Sequence, residues 1–189
     1  MTDNKHRLVV GISGASGVIL GIRLLETLHS TEIETHLVIS SSACATIVAE
    51  TNWKSEDVLA LADVTYQNTD LGASIASGSF AAIGMVIIPC SIKTLSAVAN
   101  AYSSDLLSRA ADVNLKEGRP VVIVVRETPL HYGHIRLMGL AARSGATIFP
   151  PVPAFYARPK SIDDLIDQTV GRVLQRLGIA NDLYQEWEK

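Results

Sequence analysis

The chain is predicted to be an α/β protein, a three-layer α/β/α sandwich around a mainly parallel sheet, and three features of the sequence carry that prediction. Short β-branched apolar runs alternate with segments of helical apolar spacing. The runs are continuous rather than alternating, which strands covered by helices on both faces require. Each run ends at small or polar residues, where a strand can turn sharply into a helix.

Residues 7–12 (RLVVGI) form the first strand, and residues 18–28 follow with helical spacing. Residues 35–40 (THLVIS) repeat the strand, with a helix over 43–51. A third strand at 85–89 (MVIIP) leads into a helix over 93–100, and a fourth at 120–126 (PVVIVVR) precedes a helix at 134–143. A short fifth strand at 146–149 enters the proline-rich stretch 150–159, and residues 162–177 close as an amphipathic helix. The polar segment 68–79 reads as a surface excursion with a mobile, serine-rich end. This succession is Rossmann-like and directs ligand-facing residues to the positions just after each strand.

With 189 residues, 48% of them hydrophobic and 19% charged, the chain fits one domain over 1–189 with a sizeable core. A domain of this length buries roughly 70% of its unfolded surface and needs no disulfide or structural metal. The balance of 16 basic and 19 acidic residues leaves no basic stripe for a phosphodiester backbone, which argues against a nucleic-acid partner. The longest apolar runs, 81–90 and 120–125, are well short of the roughly 20 residues that span a bilayer, so no membrane span is expected. Cys44 and Cys90 stand alone, without a CxxC pair or a signal peptide, and imply a reducing, cytoplasmic setting. A mean hydropathy of +0.26 calls for an outlet for apolar surface, and a large homo-oligomeric interface is the simplest one.

The first strand-helix turn reads Gly11, Ile12, Ser13, Gly14, Ala15, Ser16, Gly17, with Gly21 one helical turn on. It has neither the GxGxxG spacing of a dinucleotide fold, nor GK[ST], nor a GxSxG elbow. It is either a phosphate or cofactor turn or a place where small residues let helix and sheet pack closely. Ser40, Ser41 and Ser42 follow the second strand, and Pro89, Cys90, Ser91 and Thr94 the third. Any one hydroxyl can be a simple N-cap. Together at three strand ends they favour a phosphomonoester ligand such as FMN, which hydroxyls and helix N-termini hold without a strong net charge.

Arg126 and Glu127 form an ion-pair dipeptide after the apolar run, open to a structural or a functional reading. Spacing alone makes Arg109, Asp112 and Lys116 a salt-bridged helix face. His131 and His134 lack the further ligands of a metal set, so no protein-built metal site is expected. Cys90 has no nominated base and is expected to pack as a small hydrophobe.

Six stretches in order, GISGASG (11–17), ETHLVIS (34–40), PCSIKTLS (89–96), RAADVNLKE (109–117), RETPL (126–130) and PPVPAFYARP (150–159), make the chain resemble the UbiX/Pad-type flavin prenyltransferases nearly end to end. Gly118 departs from the arginine common there, leaving Lys116 intact. The resemblance implies a metal-independent enzyme that transfers a dimethylallyl group from dimethylallyl monophosphate to N5 of reduced FMN and closes a ring at C6. It further implies that prenylated FMN passes to a UbiD-type decarboxylase, in ubiquinone synthesis or aromatic acid decarboxylation.

Carried over by position, Gly14, Ala15, Ser16, Ser40, Ser91, Ile92, Lys93, Thr94 and Arg126 look like the FMN site. Tyr156 and Arg172 look like ligands of the prenyl phosphate, joined by Lys116 and Arg109, so the resemblance replaces the ladder reading of that helix face. Ser16, Glu50, Glu127 and Lys116 take the catalytic positions, and Trp187 matches a tryptophan that covers the site or packs beside it. Clamp residues in this family come from neighbouring chains, usually in a dodecamer. The competing readings are an FMN-dependent decarboxylase of peptidyl-cysteine, whose substrate motif is missing here, a flavodoxin-type carrier, disfavoured by 5% aromatics, and a non-catalytic flavin chaperone.

Overall fold

The computed structural model describes residues 6–187. In chain order the elements are β1 (His6–Ile12), α1 (Ile19–His29), β2 (Ile33–Ile39), α2 (Ser41–Glu50), α3 (Ser55–Leu59), β3 (Val64–Gln67), β4 (Gly84–Cys90), α4 (Ile92–Ala99), α5 (Leu106–Lys116), β5 (Val121–Val125), α6 (Tyr132–Arg143), β6 (Thr147–Ile148) and α7 (Ile162–Arg176). The six strands form one parallel sheet in the order β3-β2-β1-β4-β5-β6. The predicted α/β/α sandwich is therefore present, with one strand more than the apolar runs announced. The additional strand, β3, lies at the sheet edge and alternates half-buried with exposed residues, so VTYQ never makes an apolar run.

Alternation along the central strands builds two cores. Leu8, Val10 and Ile12 face the layer of α1 and α7, where Leu24, Leu25, Val170 and Val173 are buried. Val9, Met85 and Ile87 face α4, α5 and α6 through Leu95, Leu107, Ala110 and Ala141. Continuous apolar strands are the sequence signature of that two-sided burial. Arg23 of α1 fastens α7 by ion pairs to Asp163, at 3.2 Å, and to Asp167.

The excursion 68–79 departs from expectation. Ala73 and Ile75 are buried in the second core, Ser74–Ala76 form a 3-10 turn, and the Tyr66 hydroxyl meets Ser74 Oγ at 2.9 Å. Its serines are exposed, but one isoleucine anchors the segment, which composition alone did not reveal. Among the described residues no helix is long and apolar enough to cross a membrane.

Gly21 is where α1 passes closest to β4. A Cβ there would collide with the Ile88 carbonyl oxygen and meet Ile12 Cδ1 at 2.9 Å. Backbone cannot yield as a side chain does, so Gly21→Ala is expected to cost about 1–3 kcal/mol. Thermal unfolding of the variant checks this, with a melting temperature lower by roughly 2–4 °C per kcal/mol.

Candidate functional site

Strand order reverses between β1 and β4, and this switch point is where a crevice opens beyond the carboxyl ends of the strands. Ser13, 1% exposed, clasps the two strands. Its N–H and its Oγ each reach the Pro89 carbonyl at 3.1 Å, and Oγ accepts from Ser91 N–H at 2.8 Å. The ladder continues outward as Ser40 N–H donates to Ile12 O and Arg126 N–H to Cys90 O, so the segments after β1, β2, β4 and β5 leave the sheet side by side.

Those segments bring together Gly14, Ala15, Ser16, Ser40, Ser91, Ile92, Lys93, Thr94 and Arg126 at one edge. Ser40 caps α2, accepting from Ala43 N–H at 3.2 Å, and its Oγ lies 3.1 Å from Ser42 Oγ. Ser91 caps α4, accepting from Thr94 N–H and donating to Thr94 Oγ1 at 3.2 Å. Both serines therefore play the plain capping role, and the hydroxyls also form a donor-acceptor cluster. The first N–H groups of α4, on Ile92 and Lys93, have no carbonyl one turn earlier in the helix to accept them. Gly14 lets the turn backbone lie against Ser42, where a Cβ would collide with that side chain.

Arg126 and Glu127 are not paired with each other, contrary to the ion-pair dipeptide the sequence offered. Glu127 Oε1 accepts from Thr128 N–H at 2.9 Å, and the Arg126 guanidinium has no ion pair among the described residues. Arg126 instead lines, with Ser16, a mainly apolar cleft of about 230 Å³ walled by Pro151, Pro153, Leu165, Ile166 and Thr169. Glu50 reaches back to the glycine turn, its Oε2 accepting from Gly17 N–H at 2.8 Å. Unpaired amides, hydroxyls and one cation beside an apolar cleft can hold a phosphomonoester and admit a hydrophobic group next to it. That donor set fits FMN, and the glycine turn leaves its backbone open to close approach.

Tyr156 and Arg172 do not line that cleft but form a separate group with Gln168 and the residues after α7. The Tyr156 hydroxyl donates to Gln185 O at 3.4 Å, accepts from Gln168 Nε2 at 3.0 Å, and the ring meets Trp187 edge-on at 5.2 Å. The Arg172 guanidinium stands over the Tyr184 ring at 5.7 Å. Gln168, 6% exposed, orients this group and carried no signal in the sequence, because a glutamine within an amphipathic helix looks like any solvated residue.

Arg109 and Lys116 are further removed. The amino end of α5 meets the carboxyl edge, Leu106 N–H donating to Asn68 O just after β3, but α5 then crosses the sheet and Lys116 lies at the opposite edge, shortly before β5 begins. Eleven helical residues span about 16 Å, so Lys116 and Ser91 of one chain do not share a site. The expected ladder forms only in part: Arg109 pairs with Asp112 at 3.0 Å, whereas Lys116 pairs with Glu117.

Cys90 is fully buried, and burial pushes its thiol well above the ordinary range, so it packs rather than reacts. The His131 and His134 rings lie with centroids 3.6 Å apart at a tilt of 34°, and His131 Nδ1 accepts from Gly133 N–H. Among the described residues no group of three or more His, Cys, Asp or Glu could hold a metal.

A parallel sheet with a glycine turn and a serine-capped helix start at its switch point is the architecture of α/β proteins that take a ligand at that edge. The Flavoprotein family matches residues 1–174. The chain is 59% identical over 185 residues to the flavin prenyltransferase UbiX of Escherichia coli K12, covering 96% of this chain and 98% of that one. Its fold superimposes with a TM-score of 0.97, at 48% identity and over 98% and 99% of the two chains, on AnUbiX crystallised with FMN and dimethylallyl pyrophosphate. A dodecameric FMN-dependent UbiX-like decarboxylase from Escherichia coli O157:H7 superimposes at 0.94, with 44% identity and coverage of 97% and 100%. The chain belongs to the Flavoprotein family, as a flavin prenyltransferase of the UbiX and PAD1 type.

Replacing Ser13 by alanine strands the Ser91 N–H without its acceptor. Ser13→Ala is expected to lose about 1–3 kcal/mol of stability, read as a lower midpoint in urea unfolding with an unchanged slope.

Proposed function

We propose that this flavin prenyltransferase transfers the dimethylallyl group of dimethylallyl monophosphate to N5 and C6 of reduced FMN, acting as one flavin-binding domain over residues 1–189. The observation that carries the reading is the 48% identical AnUbiX, bound to FMN and dimethylallyl pyrophosphate, whose fold this chain shares end to end. That protein holds a diphosphate, so both donors belong in the assay.

Gly14, Ala15, Ser16, Ser40, Ser91, Ile92, Lys93, Thr94 and Arg126 would hold FMN, with the amides at the start of α4 and the Ser91 and Thr94 hydroxyls suited to its phosphate. Reduced FMN supplies the nucleophilic N5 and the C6 position. Glu127, next to Arg126 at the end of β5, would take the protons that N5 and C6 release. Ser16 would place its hydroxyl near N5, and Glu50 would keep the turn in position through Gly17. The apolar cleft beside Ser16 would keep water from the allylic carbon.

Tyr156, Arg172, Arg109 and Lys116 would stabilise the departing phosphate in place of a metal ion. They are dispersed within one chain, Lys116 at the far edge of the sheet, so the clamp would be assembled from neighbouring copies. The dodecameric relative supports such an assembly. The product would pass to a UbiD-type decarboxylase in the cytoplasm, where the unpaired Cys44 and Cys90 stay reduced.

Anaerobic incubation with reduced FMN and either dimethylallyl phosphate, without metal, followed by mass spectrometry of the flavin, tests the reading. A gain of one dimethylallyl unit is expected; unmodified bound flavin would leave a carrier or decarboxylase. Glu127→Gln should bind FMN normally and form product about 100-fold or more slowly, and an unchanged single-turnover rate removes Glu127 from proton transfer. Arg172→Ala should keep flavin retention while raising KM for the prenyl phosphate, and normal kinetics exclude it from the clamp.

A further inference from the structure

His36, 3% exposed on β2, sits at the centre of a polar chain apart from the strand-end site. Its Nε2 lies 2.8 Å from Glu34 Oε1 and its Nδ1 2.9 Å from the Tyr66 hydroxyl, which in turn lies 2.9 Å from Ser74 Oγ. Glu34 only accepts, so Nε2 carries the proton; Nδ1 of the neutral ring then accepts from Tyr66, and Tyr66 accepts from Ser74. The ring is also enclosed by apolar contact, stacked on Tyr66 at 5.8 Å and edge-on to Phe80 at 4.8 Å.

Tyr66 belongs to β3, whereas Ser74 and Phe80 belong to the segment 68–80 that Ile75 pins to the core. That segment touches the assigned clamp cations: Ala76 O accepts from Arg109 Nε at 3.2 Å, and a Cβ on Gly78 would lie 2.7 Å from Lys116 Nζ. We propose that the chain Glu34–His36–Tyr66–Ser74 is a latch that keeps segment 68–80, and the Arg109 guanidinium bonded to it, in place while His36 is neutral and releases them when His36 is protonated. His36 is thus a positioning residue, and its bearing on turnover rests on the placement of Arg109 and Lys116 in the phosphate clamp.

Protonation is opposed by the surroundings. Among the described residues, the groups facing His36 are Glu34 on its own strand, Arg7 on β1, Asp63 and Tyr66 at β3, and Ser74 and Phe80 on the segment. The Arg7 guanidinium already pairs with Glu34 Oε1 at 3.3 Å and stands 5.3 Å over the Phe80 ring. An imidazolium would therefore share one carboxylate with a guanidinium inside a closed aromatic stack. Burial, the largest cause, and Arg7 lower the His36 pKa, while Glu34 and Asp63 raise it less. A depressed folded-state pKa means the latch has its full stability above the ordinary imidazole value and loses it as pH falls through the lowered one. Opening the segment hydrates the ring and relieves the shared charge.

Hydrogen exchange of the assembled protein at about pH 7.5 and about pH 5.0, corrected for intrinsic rates, reads the latch directly. In the wild type, exchange of amides 70–82 is expected to rise on acidification, about tenfold for each pKa unit separating the closed and open states. His36→Gln, which cannot titrate, should show no such step, and Tyr66→Phe, which keeps the ring but not the joining hydroxyl, should exchange fast at both pH values. Equal wild-type exchange at the two pH values, or Tyr66→Phe matching the wild type throughout, overturns the latch. If exchange responds while KM for dimethylallyl phosphate does not follow it, the latch stands and the clamp placement of Arg109 and Lys116 falls.

Discussion

The clasp made by Ser13 is the constraint on which the candidate site depends. β1 and β4 are the two strands from which the chain departs in opposite directions, and a crevice exists there only if their ends stay in register. Ser13 holds them with one side chain and one amide, joining the Pro89 carbonyl to the Ser91 N–H. Ladder pairing between β4 and β5 shifts between Ile87 and Cys90, where Pro89 has no N–H to donate, so the clasp supplies order where the sheet itself is irregular. The glycine turn, the cap of α4 and the amides behind that cap all take their positions from this junction.

Burial on both faces of the sheet makes that junction rigid. The α1–α7 layer is fixed to the strands by the close pass at Gly21 and to itself by the Arg23 network, and the opposite layer packs Leu95, Leu107 and Ala110 under β4 and β5. With the apolar strand residues committed to two cores, chemistry is confined to the strand ends and to helix flanks. This separation gives the molecule two kinds of surface, a preorganised donor cluster at the carboxyl edge and dispersed cations on α5 and α7. A cluster of neutral donors with one unpaired arginine binds a phosphomonoester without the desolvation penalty of a dense cationic pocket. On the proposed function, the cations would become a clamp only where chains meet.

The segment 68–80 ties β3 to α5. It is fastened to the core by Ile75, to β3 by Ser74, to α5 through the Ala76 carbonyl, which accepts from Arg109, and to the turn between α5 and β5 through the Gly78 carbonyl, which accepts from Arg119. Through the proposed latch that strip would pass the state of His36, buried on β2 beside it, to the helix it covers.

The sequence by itself determined the α/β/α layering, because continuous apolar strands such as VVIVV have no stable arrangement other than two-sided burial. It also made legible the strand-end serines and the glycine turn, whose residue types suit the local backbone geometry, whereas the proposed roles rest on the resemblance in six ordered motifs. Tertiary structure decided the rest. VTYQ became a strand because β2 offered an edge, Ile75 anchored a segment that composition marked as loose, and Arg126 stood clear of Glu127 despite their adjacency. Only the fold shows that Lys116 and Ser91 lie at opposite edges of the sheet, since spacing along a helix fixes which residues share a face but not which edge the helix reaches.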